Sequence, residues 1–138
     1  MKHVVPGRAG KTYKVRSRLE VTLGSILNNI GTDWEYEVTN IKYKIPESNH
    51  TYKVDFTLGN GTLIEGKGYL SDHAERTKYI LLKEQHPDLD LKFVFANPNK
   101  KCGGMKMTHG EWATKHKFDW CAISDHEKIK EWCVKENN

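Results

Sequence analysis

A chain of 138 residues with 37% hydrophobic residues can bury one core and is too apolar for wholesale disorder, while 29% charged residues set a wet surface. The net charge of +4 is modest, no apolar run approaches the ~20 residues of a membrane-spanning helix, and the start, Met1 to Gly7, holds no signal-peptide core. Cys102, Cys121 and Cys133 are an odd number with nothing pointing to secretion. Reduced thiols in a cytoplasm are therefore expected, and the Asn-x-Thr triplets at Asn49 and Asn60 are not read as glycosylation sites.

Residues 1–18 carry Lys2, Arg8, Lys11, Lys14, Arg16 and Arg18 and no acid. With Gly7 and Gly10, residues 1–16 read as a mobile basic arm able to close on phosphates, the plainer alternative being a solvated terminus without function. Residues 17–138 are expected to form a single domain. Ser17-Arg18-Leu19-Glu20 opens a helix whose apolar face is Leu19, Leu23, Ile26, Leu27 and Ile30. Ser17 and Glu20 also match the S-x-x-E capping box, in which Glu20 bonds only backbone; spacing alone does not separate that role from a functional one.

Residues 34–45 alternate as a strand, with Trp34, Tyr36 and Val38 on one phase and Ile41, Tyr43 and Ile45 on the other. The phase change near Thr39-Asn40 predicts a bulge or bend. Residues 46–51 are expected to be a short linker. Residues 52–69 form a hairpin about Gly59-Asn60-Gly61, with Tyr52, Val54, Phe56 and Leu58 facing the core. If the loop is residues 59–61, with Gly61 supplying a positive φ, Asp55 lies opposite Glu65. Glu65 and Lys67, two apart on one strand, share a face. Two carboxylates so placed repel. A hard divalent cation would turn that cost into a binding site, because Mg²⁺ takes carboxylate oxygens and keeps several waters, and a neighbouring lysine could then position or deprotonate the attacking water. That is the D…(D/E)xK pattern of metal-dependent phosphodiesterases. A lone Glu-x-Lys on a solvated hairpin is common by chance; a carboxylate before the turn, Glu-x-Lys after it, an apolar opposite face and an upstream helical Glu20 make a more specific set.

A helix is predicted from about Ser71 to Gln85, burying Ile80, Leu81 and Leu82 and stopped by Pro87. Leu91–Phe95 reads as a short buried strand. Lys100, Lys101 and Lys106 around Gly103-Gly104 suggest a second flexible basic stretch. Helices are expected near His109–His116 and Ser124–Val134, the latter with a Ser124/Glu127 capping box, and Trp112, Trp120 and Trp132 are assigned to packing rather than to base stacking. Cys102, His109, His116 and Cys121 lack the close cysteine pair of a structural zinc site. The sum is an α/β domain, a mixed central sheet flanked by helices as in restriction-endonuclease-like folds.

Ile45-Pro46-Glu47-Ser48-Asn49-His50-Thr51-Tyr52, then Asp55-Phe56, Glu65-Gly66-Lys67-Gly68 and Glu84-Gln85-His86-Pro87-Asp88-Leu89-Asp90 closely resemble the phage endonuclease I family, the Holliday-junction-resolving enzymes of the T-odd phages. The resemblance covers residues 16–96 almost without gaps and continues more weakly to Ile129-Lys130-Glu131. It implies a structure-selective endodeoxyribonuclease that resolves four-way and other branched DNA by paired nicks, working in the cytoplasm of a bacterial host with no membrane and no small-molecule cofactor. It implies a domain-swapped homodimer with residues 46–51 as the bridge, so that Glu20 of one chain joins Asp55, Glu65 and Lys67 of the other. Asp55, Glu65 and the Gly66 carbonyl would hold Mg²⁺, with Mn²⁺ as a substitute, and Glu20 would complete a second ion site. Candidate DNA contacts are Lys11, Lys14, Arg16, Arg18, Lys44, His50, Lys53 and Arg76. Two other readings stay open: a mismatch-nicking or restriction nuclease on the same core, and a non-catalytic junction-binding protein.

Overall fold

The computed structural model describes residues 3–7, 10–45 and 48–134. Strands β1 (His3–Pro6) and β2 (Thr12–Val15) precede helix α1 (Arg18–Ile30), followed by β3 (Trp34–Tyr36), β4 (Asn40–Ile45), β5 (Ser48–Lys53), β6 (Phe56–Leu58) and β7 (Leu63–Lys67). Helix α2 (His73–Gln85), β8 (Leu91–Phe95), α3 (His109–Lys115), β9 (Trp120–Ala122) and α4 (His126–Cys133) complete the chain. Five strands form a mixed sheet in the order β3-β6-β7-β8-β9. β3/β6 and β6/β7 are antiparallel, whereas β7/β8 and β8/β9 run parallel and need α2 and α3 as their crossovers.

Alternation along the strands splits the core in two. Ile64, Val94 and Cys121 face one side, with Leu23, Ile26 and Leu27 of α1 and Ile129 and Trp132 of α4. Leu91, Phe93 and Phe95 face the other, with Tyr79 and Leu82 of α2 and Trp112 of α3. A sheet covered on both faces explains why β8 reads as a nearly continuous apolar run. It also bears out the mixed, helix-flanked sheet and the packing role of Trp112 and Trp132. Trp120 is half-buried on β9, a strand that no local pattern in the sequence announces.

The central hairpin forms about its predicted turn as β6 and β7, but residues 52 and 53, expected in it, pair with β4 instead, so Tyr52 and Val54 enter one core and Phe56 and Leu58 the other. Leu58 N–H donates to the Thr62 carbonyl at 2.9 Å, leaving residues 59–61 as the loop, and Gly61 sits at φ +90°. The ladder pairs Phe56 with Ile64 and Thr57 with Leu63, the register that sets Asp55 against Glu65. Tyr52, Val54, Phe56 and Leu58 are all buried.

Other expectations are corrected. The segment read as a mobile arm is, within residues 3–7 and 10–16, the hairpin β1–β2, with Val5 and Val15 in the core. Val5 seats on Gly24 of α1, where a Cβ would come within 2.8 Å of the valine methyl. Lys2 and Arg8 lie outside the described residues. Between β3 and β4 the expected break takes the form of a bend rather than a bulge: at Glu37, φ +55°, the chain leaves the sheet, Val38 is exposed, and β4 pairs with β5 in a separate two-stranded sheet. Residues 48–51, expected as linker, belong to β5; residues 46 and 47 lie outside the described residues. The Gln85 amide bonds both the N–H and the carbonyl of Lys44 at 2.7 Å, fastening this second sheet to the end of α2. Within α2, Tyr79 and Leu82 are buried, while Ile80 and Leu81 are only partly so. Helix α4 is capped by Asp125, which accepts from Lys128 N–H, and not by Ser124 and Glu127. The stretch around Gly103-Gly104 is tied down by Gly103 N–H to the Leu70 carbonyl and Cys102 N–H to the Met107 carbonyl, both at 2.9 Å.

His109, fully buried at the start of α3, accepts the Leu70 N–H at 3.2 Å through Nε2. That bond requires neutral imidazole, and burial, helped by Lys100, holds its pKa below the usual histidine range. The unfolded chain therefore takes up this proton at a higher pH than the folded one. The contribution of His109 to stability is full above about pH 6.5 and falls below it, by up to ~1.4 kcal/mol per pH unit. Urea unfolding at pH 8 and pH 5.5 should show this loss in the native chain and a smaller one in His109→Gln; equal losses would remove His109 as the cause.

Candidate active site

Four elements bring acids and one lysine to one end of the sheet. Because β6 and β7 are antiparallel, Asp55 at the entry to β6 meets the exit of β7, where Glu65 and Lys67 lie. Helix α1 delivers Glu20 from its first turn. Ser17 caps that turn, its Oγ accepting Glu20 N–H at 3.1 Å. The Glu20 carboxylate passes over the cap residue and accepts instead from Arg16 N–H at 2.7 Å and from the Tyr36 hydroxyl at 3.0 Å, through the same oxygen. The reciprocal bond of a closed capping box is thus replaced, and Glu20 is only 5% exposed.

Asp55 Oδ2 accepts Gly66 N–H at 3.1 Å. Burial first, then the charges of Glu65 and Glu20, push its carboxyl up to about 9 despite that N–H. Both Glu65 oxygens are engaged, Oε1 by the Tyr52 hydroxyl and Oε2 by the Tyr79 hydroxyl. Burial raises the Glu65 pKa even though Lys67 and the Tyr52 hydroxyl pull it down. Lys67 Nζ lies 3.8 Å from Glu65 and is bonded to Glu75 of α2. Burial opposes its charge, but Glu65, Glu75 and Asp55 together outweigh burial and hold it above the usual lysine range. Lys67 thus stands as a charged donor rather than a free base.

Glu65 and Glu20 both raise the cost of charging Asp55, and the cations within reach of this cluster, among the described residues, are Lys67, itself bonded to Glu75, and Lys78. Among the described residues no three His, Cys, Asp or Glu side chains stand close enough to grip one ion together. The oxygen donors Asp55, Glu65 and the Gly66 carbonyl fit a hard cation that keeps part of its water shell, as Mg²⁺ and Mn²⁺ do, better than a closed all-protein cage.

Of the candidate DNA contacts, Lys11, Lys14, Arg16, Arg18, Lys44, His50 and Lys53 are exposed. Arg16 pairs with Glu37 at 2.9 Å, and His50 stacks on Tyr43 with ring centres 5.4 Å apart. Arg76 is a correction. It lies on the buried side of α2, 7% exposed, and donates to the Leu70 carbonyl at 3.3 Å, so it is not presented to a ligand. Tyr36, Tyr52, Tyr79 and Glu75 are site residues that the sequence motifs do not mark. The one signal for the tyrosines is chemical: a buried tyrosine needs a partner for its hydroxyl, and the nearest acceptors in the pattern are these acids.

Among the described residues no helix is long and apolar enough to cross a membrane. A family model described as phage endonuclease I matches residues 1–137. The chain is 44% identical over 102 residues to endodeoxyribonuclease 1 of Enterobacteria phage T3, a stretch covering 73% of this chain and 66% of that protein. It is 42% identical over 107 residues to endonuclease I of Escherichia phage T7, covering 77% of this chain and 71% of that relative.

Proposed function

The chain belongs to the phage endonuclease I family, and from that premise we propose that it is a structure-selective endodeoxyribonuclease that resolves four-way and other branched DNA junctions by metal-dependent hydrolysis with paired nicks. The observation that carries the reading is the convergence of Glu20 from α1, Asp55 from the entry to β6, and Glu65 and Lys67 from β7 on one largely buried cluster.

A divalent ion supplies the Lewis acidity that stabilises attacking and leaving oxygens and makes water a nucleophile near neutral pH. The protein's own groups do the rest. Asp55 and Glu65, with the Gly66 carbonyl, provide the hard donor set, and Glu20 extends it toward a second ion. Lys67, kept charged by its carboxylate neighbours, orients the attacking water and offsets the negative charge that develops on the phosphoryl group. Glu75 fixes the direction of the lysine. Exposed Lys11, Lys14, Arg16 and Arg18 at the α1 end hold backbone phosphates, contacts that position a duplex without reading its bases and so favour shape over sequence.

We place the site in a homodimer. Glu20 precedes residues 46–47, and Asp55, Glu65 and Lys67 follow them. Exchanging the two halves of a chain with a second copy across that point in the sequence rebuilds the same contacts with Glu20 supplied in trans, a low-cost route to a twofold pair of sites. Two such sites suit a substrate that needs two symmetric cuts.

The test compares a labelled four-way junction with linear duplexes of the same arm sequences, in Mg²⁺ and in EDTA. Cleavage at paired positions in the junction, dependent on Mg²⁺ and at least ~10-fold faster than on linear DNA, is expected. Sequence-specific cutting of linear duplex would favour a restriction-type activity. Tight binding without cleavage under any divalent ion would make this a junction-binding protein.

The basic residues of β1–β2 are tested by substitution rather than truncation, since deletion would strip Val5 and Val15 from the core. Lys11→Ala with Lys14→Ala should weaken junction binding and lower the slope of log K against log salt by roughly 0.9 for each phosphate no longer neutralised. An unchanged slope would place both lysines off the DNA.

A further inference from the structure

We propose that Tyr52 and Tyr79 are positioning residues that fix the Glu65 carboxylate in the orientation a divalent ion requires; this rests on the reading of Glu65 as an ion ligand. Tyr52 donates to Oε1 and Tyr79 to Oε2, the latter at 3.0 Å, so the carboxylate cannot rotate without losing a hydrogen bond. The donors arrive from different elements, β5 and α2, and neither shares the strand of Glu65. The two residues are 5% and 0% exposed, and their rings meet edge to face at 5.8 Å. Tyr79 is further wedged by Phe93 at 4.9 Å, and the Lys78 ammonium lies over both tyrosine rings at 5.3 and 4.7 Å.

Packing alone would be served as well by phenylalanine, because burying a hydroxyl costs free energy unless it is bonded. Two neutral hydroxyls aimed at the two oxygens of one acid hold it in place and add no positive charge to that already supplied by Lys67, 3.8 Å from Oε2, and by Lys78. Each carboxylate oxygen has two lone pairs, so each keeps one for the ion after accepting from its tyrosine. Outer-shell partners of this kind typically change ion affinity or activity by about 10–100-fold when removed.

The experiment uses Tyr52→Phe and Tyr79→Phe, which retain the rings, alongside Glu65→Ala. Mn²⁺ affinity of the DNA-free protein is measured by calorimetry, and kcat and KM on a labelled junction are measured across Mn²⁺ concentrations. Each tyrosine variant should bind Mn²⁺ ~10-fold more weakly, keep its KM for the junction, and recover kcat as Mn²⁺ is raised. A role in packing alone would leave Mn²⁺ affinity untouched. If both tyrosine variants bind Mn²⁺ like the native protein while Glu65→Ala does not, the positioning role is overturned and the ion site stands. If Glu65→Ala also binds Mn²⁺ normally, the ion-site reading fails and takes the positioning role with it.

Discussion

Replacing Asp55 or Glu65 by alanine is expected to reduce junction cleavage by at least ~10³-fold while leaving junction affinity unchanged or higher. The first half follows from the donor set: each substitution removes one of two carboxylates that would hold the ion, and loss of a single electrostatic stabiliser in an active site already costs on the order of 10²–10³ in rate. The second half follows from the repulsion now present. Burial, Glu65 and Glu20 all weigh against charge on Asp55, so an approaching phosphate meets a cluster that disfavours further negative charge, and deleting one acid lowers that cost or leaves it unchanged. Single-turnover cleavage with gel-shift titrations in Ca²⁺ and in EDTA separates the two effects. Turnover within a few-fold of the native protein in either variant would remove these residues from the chemistry.

Mixing Glu20→Ala chains with Lys67→Ala chains, under conditions that allow subunit exchange, is expected to restore activity that neither homodimer has. In a swapped heterodimer one site collects both lesions and the other collects none. One intact site nicks one strand of a junction, so nicking returns while paired cuts stay rare. Were the two halves of each site to come from one chain, as a chain closed on itself also allows, each site of the heterodimer would carry one lesion and no activity would return. Exchange must be verified independently by mass, so that absence of recovery refutes the swap rather than reporting failed mixing.

What can be read from the sequence is local in origin. The Gly59-Asn60-Gly61 turn, a three-residue loop needing one positive φ, sets the register of β6 on β7 and hence the meeting of Asp55 with Glu65. The amphipathic face of α1 and the stop of α2 before Pro87 are equally local. Some of the misreadings share a physical source, contact between residues far apart in the chain, whereas those at Arg76 and at the cap of α4 turn on neighbours within a few residues. Residues 1–16 read as a mobile basic arm because their charges are close in sequence, whereas Val5 is held by Gly24 of α1. Arg76 looks like a phosphate ligand until α2 turns it toward the Leu70 carbonyl. The alternation around Tyr52 identifies it as a core residue, which it is, but cannot reveal that its hydroxyl ends on Glu65. Tyr79 escapes because the three apolar residues after it are a stronger apolar signal than one aromatic beside a lysine. For Glu20, spacing leaves cap and ligand unresolved; the fold shows its carboxylate turned past Ser17 to Arg16 N–H and Tyr36, tied to backbone yet within the field of Asp55.

Whether these acids form the ion site at which DNA is cut can be decided by an anomalous difference map from a crystal grown with Mn²⁺. A peak is expected within coordinating distance of the Asp55 and Glu65 carboxylates and the Gly66 carbonyl, with a second, weaker one toward Glu20. Peaks found elsewhere, or none at this cluster in protein shown by calorimetry to bind Mn²⁺, would move the ion, and with it the chemistry, away from these residues.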